Sequence, residues 1–195
     1  MTRVHVAWLA RFGLAAAVAT VGWMAWHGTG GGAMWAADAL CLPPATSLDP
    51  MDVEVGPHVG QRAPDFTLPD LSGTPVRLSS LRGCPVLLDF WATWCKPCLT
   101  TVPKIEALRQ KHVAQGLKVV AVNLDHRRED GARFLAANGY TGFIALWAPF
   151  TEARAVASLY GVQAIPHTVL IDRHGIIRFS GSPALLTDEV IAPWL

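Results

Sequence analysis

The chain has 195 residues with 16 Lys and Arg against 15 Asp and Glu, and hydrophobic types make up 51% against 16% charged. Arg3, Arg11 and Asp38 are the charged residues of positions 1–39, so the remainder carries 14 charges of each sign. That balance excludes a nucleic-acid binder, which needs excess cations to displace phosphate counterions, and the apolar content excludes a wholly disordered chain. About 150 residues come after the N-terminal region, the length of one domain able to bury a core.

The first segment reads as an address. Phe12 to Trp26 is uncharged, and Arg3 and Arg11 precede it, so the positive-inside rule puts the rest of the chain on the extracytoplasmic side. Trp8, Trp23 and Trp26 near the ends favour a retained anchor over a cleaved signal peptide, although Gly31-Gly32-Ala33 and Ala37-Asp38-Ala39 offer cleavage sites. Asp38-Ala39-Leu40 before Cys41 does not match a lipidation site. Residues 1–27 are therefore an anchor or signal peptide. Residues 28–60, rich in Gly and Pro, read as a linker, or as an irregular segment packed on the domain.

From residue 61 to 195 the pattern is that of an α/β domain. Phe66–Leu68 and Val76–Leu78 around Asp70-Leu71-Ser72-Gly73 predict an N-terminal hairpin, with a single helical turn over 79–82. Val86–Trp91 predicts a buried central strand interrupted by Asp89. A helix over 100–115 is expected to bend at Pro103 without being lost. Next come strand 117–124, helix 128–138 ending at Gly139, a short strand 143–146 and helix 152–159. Strands 168–172 and 176–180 flank His174-Gly175, and a closing helix spans 185–195. Alternating strands and helices with a terminal hairpin predict a mixed central sheet flanked by helices.

The chemistry concentrates in Trp94-Cys95-Lys96-Pro97-Cys98, where the buried strand gives way to a helix. Cysteines at i and i+3 on a first helical turn lie within disulfide reach. Cys95 at the helix N-terminus meets unsatisfied N–H groups, which favour its thiolate and draw a pKa of about 8.5 toward 7. Cys95 is then the attacking nucleophile, and Cys98 resolves the mixed disulfide. The competing readings are half of a zinc site, which would need two further ligands that no second motif supplies, and an inert disulfide.

Ala63-Pro64-Asp65-Phe66-Thr67-Leu68-Pro69-Asp70-Leu71-Ser72-Gly73, Leu81-Arg82-Gly83 and Val86 through Cys98 resemble the TlpA/ResA branch of the thioredoxin family. So do Tyr160-Gly161-Val162-Gln163-Ala164-Ile165-Pro166 and Leu170-Ile171-Asp172-Arg173-His174-Gly175. The resemblance implies a thioredoxin fold over 61–195 and a membrane-tethered or periplasmic thiol-disulfide oxidoreductase. It also implies a cis peptide before Pro166, beside the cysteines, where Ile165 could pair with a substrate backbone. Many TlpA-type members carry a neutral residue at position 89, and it is by resemblance to thioredoxins proper, where an acid holds this place, that Asp89 takes the proton of Cys98. A carboxyl in an apolar strand has a raised pKa, which suits that role, while the alternative is a structural acid bonded to a nearby donor.

Trp91 reads as core, Trp94 as a contact for the client protein, and Lys96 as a solvent-facing charge. His167 stands where a Thr is common in the family. It could bring an imidazole toward Cys95, hold Cu(I) with both cysteines, or be an ordinary hydrogen-bonded side chain. Cys41 and Cys84 are expected as separate thiols, since nothing local brings them together, with a disulfide as the alternative.

The resulting expectation is a periplasm-facing reductase of client disulfides, in cytochrome c maturation or at copper-site cysteines, with no organic cofactor. It would be re-reduced by a membrane electron carrier of the DsbD or CcdA kind. The alternatives are a disulfide-forming oxidant and a copper chaperone using Cys95, Cys98 and His167. A thiol peroxidase is disfavoured because the Pro-x₃-Thr-x₂-Cys arrangement of peroxiredoxins is absent around Cys95.

Overall fold

A computed structural model describes Cys41 and residues 53–195. The hairpin comes first in the chain: β1 (Thr67–Pro69) pairs antiparallel with β2 (Pro75–Arg77). Its turn is held by the Asp70 carboxylate, which accepts from the Ser72 and Thr74 N–H groups, and Gly73 supplies the positive φ of 93° that the turn requires. The single turn expected after it is a 3₁₀ turn over Leu78–Leu81.

The main sheet holds five strands in the order β5-β4-β3-β6-β7. β3 (Val86–Trp91) is the centre and all six of its residues are buried, which explains why it is an apolar run rather than an alternating one. It pairs parallel with β4 (Lys118–Asn123), which pairs parallel with β5 (Phe143–Trp147). On its other side β3 pairs antiparallel with β6 (His167–Ile171), and β6 pairs with β7 (Ile177–Gly181). The parallel pairs are connected through α1 (Lys96–His112) and α2 (Arg128–Ala137), and α3 (Phe150–Leu159) leads back toward β6. This is the mixed α/β sheet expected for a thioredoxin fold.

α1 runs through Pro103 as anticipated, and a 3₁₀ turn over Val113–Gln115 finishes it. The closing helix is a correction. Residues 185–195 carry apolar side chains at helical spacing, yet they form a 3₁₀ turn (Pro183–Leu185), a four-residue helix α4 (Asp188–Ile191) and a second 3₁₀ turn (Ala192–Trp194). Pro193 lacks the N–H that a continuing helix would use.

Side chains alternate between the two faces of the sheet. Leu88, Phe90, Val120, Val122 and Val169 join one apolar cluster with the hairpin and α3. Leu87, Val119 and Leu170 face the other way, against Ile105 and Leu108 of α1 and Leu186 and Ile191. By the same alternation Asp89 lies on the face that α1 covers.

The last residues of the stretch read as a linker are hydrogen-bonded to the domain. Gly60 N–H donates to the Ile177 carbonyl, and Ile177 N–H donates to the Gln61 carbonyl, at 2.8 and 2.9 Å. Residues 1–27, expected to be an anchor or signal peptide, lie outside the described residues. Among the described residues no helix is long and apolar enough to cross a membrane.

Candidate functional site

The site sits where β3 ends. Cys95 is the N-cap of α1, in extended backbone (φ −87°, ψ 93°), and its Sγ accepts a hydrogen bond from the Cys98 N–H at 3.2 Å. Pro97, in the first turn, needs no hydrogen-bond partner for its nitrogen. Cys95 and Cys98 are joined as a disulfide with Cα atoms 5.2 Å apart. They differ in access: Cys95 keeps 5% of its surface exposed and Cys98 none. An attacking sulfur must be reached by its partner, whereas a resolving one need reach only Cys95. The first turn of α1 contains no acidic side chain to oppose a thiolate, and exposed Lys96 adds positive charge.

The loop carrying Cys95 is clamped from β4. The buried Asp125 carboxylate accepts from the Thr93 N–H at 3.0 Å and from the Thr93 hydroxyl at 2.9 Å, and also from the Asn123 side-chain amide at 2.8 Å. Its backbone carbonyl accepts from the Trp147 indole at 2.9 Å. Gly131 lets α2 come close to this group, because a Cβ there would lie 2.7 Å from the Asn123 amide nitrogen. Sequence reasoning missed Asp125 entirely. An acid just past an apolar strand looks like any solvated loop residue, and only the pairing of β3 with β4 brings it under Thr93.

A second loop faces the first. The Ile165–Pro166 peptide is cis, and the Ile165 carbonyl oxygen lies 3.6 Å from the Cys95 sulfur. Ile165 and Pro166 are half-buried. Trp94, beside Cys95, is 56% exposed, while Trp91 is buried with its ring 5.4 Å from that of Phe134. The sequence therefore sorts the two tryptophans as the fold does.

Asp89 is 2% exposed, and its Oδ1 accepts a 2.6 Å hydrogen bond from the hydroxyl of Thr168, its partner across the β3–β6 ladder. Burial disfavours the charged carboxylate and pushes its pKa up to about 7, against the opposing pull of the Thr168 hydroxyl. His167 shares a hydrogen bond with the Ser180 hydroxyl at 3.0 Å, and burial lowers its pKa. Among the described residues, no group of three or more His, Cys, Asp and Glu side chains is assembled in a way that could hold a metal ion.

Cys41 and Cys84 correct the expectation of separate thiols. They form a disulfide with Cα atoms 4.7 Å apart, closing a sequence separation of 43. Cys84 precedes β3 and Cys95 comes after it, so the two disulfides lie at opposite ends of the same strand.

Comparison with known proteins agrees with this geometry. The model of the AhpC/TSA family matches residues 59–180, and the chain belongs to that family. It is 38% identical over 120 residues to the thiol-disulfide oxidoreductase ResA of Geobacillus thermodenitrificans, covering 62% of this chain and 67% of that protein. It is 40% identical over 127 residues to the thioredoxin-like protein YneN of Bacillus subtilis, covering 64% and 72%. A crystal structure of a Chlorobium tepidum protein, provisionally named thiol:disulfide interchange protein DsbE, superposes with a TM-score of 0.58 at 39% identity, over 64% of this chain and 85% of that one. Fold, relatives and paired cysteines define a thioredoxin-like protein-disulfide oxidoreductase of the ResA/DsbE type.

Proposed function

We propose that this protein reduces disulfides of client proteins on the periplasmic side of the inner membrane, in cytochrome c maturation or at copper-site cysteines, through Cys95 and Cys98. The observation that carries the reading is the Cys95 sulfur at the N-terminus of α1, beside the Ile165 carbonyl of the cis-proline loop. In the reduced enzyme the Cys95 thiolate attacks one sulfur of the client disulfide, forming a mixed disulfide and releasing the other client sulfur as a thiolate. Cys98 then passes its proton to Asp89 and attacks the Cys95 sulfur. The Cys95–Cys98 disulfide forms and the second client sulfur leaves as a thiolate. Both client thiolates take up protons from solvent, and two electrons have moved from enzyme to client.

Asp89 is suited to that proton because burial has already brought its affinity near neutrality. Exposed Trp94 and the Ile165 backbone form the docking surface, with Pro166 leaving no N–H at that edge to compete with the client chain. The oxidised pair is returned to the dithiol by a membrane electron donor of the DsbD or CcdA kind, to which the N-terminal segment keeps the domain close.

Equilibration with glutathione buffers tests the direction. A potential near that of thioredoxin, about −270 mV, is expected, and one above about −150 mV would make the protein an oxidant instead.

A further inference from the structure

Resting on the reading of Asp89 as the proton acceptor for Cys98, we infer that Thr168 is a positioning residue of the exchange reaction: its hydroxyl holds the Asp89 carboxyl in place and keeps its ionised form accessible. Thr168 has no exposed surface and Asp89 almost none, so neither can turn to water for a partner. The donor stands directly across the ladder from the acid, and its Oγ1–Oδ1 distance of 2.6 Å is that of a strong hydrogen bond to a carboxylate.

The placement ties two parts of the machinery together. Thr168 lies two residues after Pro166 on β6, so the strand that brings the Ile165 carbonyl to the Cys95 sulfur also carries the side chain that fixes the acid. A hydroxyl donating to the carboxylate favours the charged form, against the burial that disfavours it. Without that donor a carboxyl buried on the face that α1 covers would stay protonated near neutral pH and could accept nothing from Cys98.

The other titratable groups on the elements packed around Asp89 are engaged elsewhere or lie at the surface. α1 follows Cys95 with exposed Lys96 and with Cys98, then Lys104, which donates to the Ala184 carbonyl, Glu106 paired with Arg109, and Lys111 and His112 paired with Asp188. β4 begins with Lys118, β6 contributes His167, and Asp125 lies just past β4. The His167 ring is bonded to Ser180, and the Asp125 carboxylate is committed to Thr93 and Asn123. Burial and the Thr168 hydroxyl are the causes that act on the Asp89 carboxyl.

The test compares Thr168→Val, which keeps the shape and removes the donor, with Thr168→Ser, which keeps the donor, and with Asp89→Asn. Two quantities are measured on the full chain: the Asp89 carboxyl titration by ¹³C NMR in the oxidised protein, and the pH dependence of mixed-disulfide resolution by Cys98. Thr168→Val is expected to raise the carboxyl midpoint by roughly one unit and to move the resolution profile up by the same amount, a loss of about tenfold below the midpoint. Thr168→Ser should restore both. If Asp89→Asn leaves the resolution profile unchanged, Asp89 is not the acceptor and the inference falls with that reading. If Asp89→Asn abolishes the pH dependence but Thr168→Val moves neither midpoint, Asp89 keeps its role and Thr168 alone loses its own. The NMR titration of folded oxidised protein separates either result from a variant that merely fails to fold.

Discussion

The two ends of β3 carry the same covalent bond in opposite surroundings. At the N-terminal end Cys84 is fully buried and bridged to a residue 43 positions away, with no helix starting there. At the C-terminal end Cys95 caps a 17-residue helix, receives an N–H from Cys98, and retains some access to solvent. A sulfur becomes reactive when donors stabilise its anion and a partner can reach it; a buried bridge over a long loop restricts the unfolded chain instead. What each disulfide can do is therefore set by the backbone around it.

Replacing Cys95 by Ser should separate the ends most sharply. Turnover of a protein disulfide substrate is expected to fall by at least about a thousandfold, since a hydroxyl is not ionised at neutral pH and cannot exchange with sulfur. Cys98→Ser, by contrast, should accumulate the mixed disulfide on Cys95, visible by mass spectrometry under non-reducing conditions.

Removing the other bridge should invert that result. In the Cys41→Ala, Cys84→Ala double variant, the exchange rate is expected to stay within about twofold of the parent. Stability should fall by about 4 kcal/mol, the chain-entropy figure for a loop of this separation. Urea unfolding measured beside insulin reduction checks both halves, and a large loss of exchange with unchanged stability would reverse the roles assigned to the two ends.

Asp89 lies between them and carries a cost to the fold. Its folded pKa of about 7 exceeds the value of 3.8 taken for the free carboxyl, so the folded state binds its proton more tightly than the unfolded state does. Stability is then greatest below about pH 4 and falls as pH rises toward 7, where it levels off. Asp89→Asn should therefore be more stable than the parent at pH 8, by on the order of 4 kcal/mol, with the advantage fading at pH 4. Denaturant melts of the oxidised proteins at the two pH values measure it, and a parent more stable at pH 8 than its variant would contradict the burial argument.

How far the sequence reaches depends on the range of each interaction. β3 is legible because a strand buried on both faces must be a continuous apolar run, and the start of α1 because a Cys-x-Pro-Cys turn after such a strand leaves little else. The hairpin is marked by Asp70 and Gly73, whose side chain and backbone act within four residues. The closing segment misleads because the spacing of Leu185, Leu186, Val190, Ile191 and Trp194 suggests one helix despite Pro193, whereas in the fold those side chains belong to short separate turns. Asp125 and the Cys41–Cys84 bridge leave no local trace: each depends on a partner more than 30 positions away, and only strand pairing or chain return brings them together.

The smallest effect is expected at His167, and it sharpens what makes the C-terminal end of β3 reactive. An imidazole next to the cis-proline would lower the Cys95 thiol pKa if it were charged. Burial lowers the His167 pKa below its ordinary value of 6.5, so at pH 7 the ring is neutral, with Nε2 engaged by the Ser180 hydroxyl. A neutral ring offers the thiolate only a weak dipole, whereas the helix N-terminus can lower a thiol pKa by about a unit or more. His167→Gln should consequently shift the alkylation midpoint of Cys95 in the reduced enzyme by less than about 0.3 units, read from iodoacetamide rates across a pH series. An upward shift of a full unit would mean that a cationic imidazole, rather than the N–H groups of α1, holds the sulfur in its reactive form.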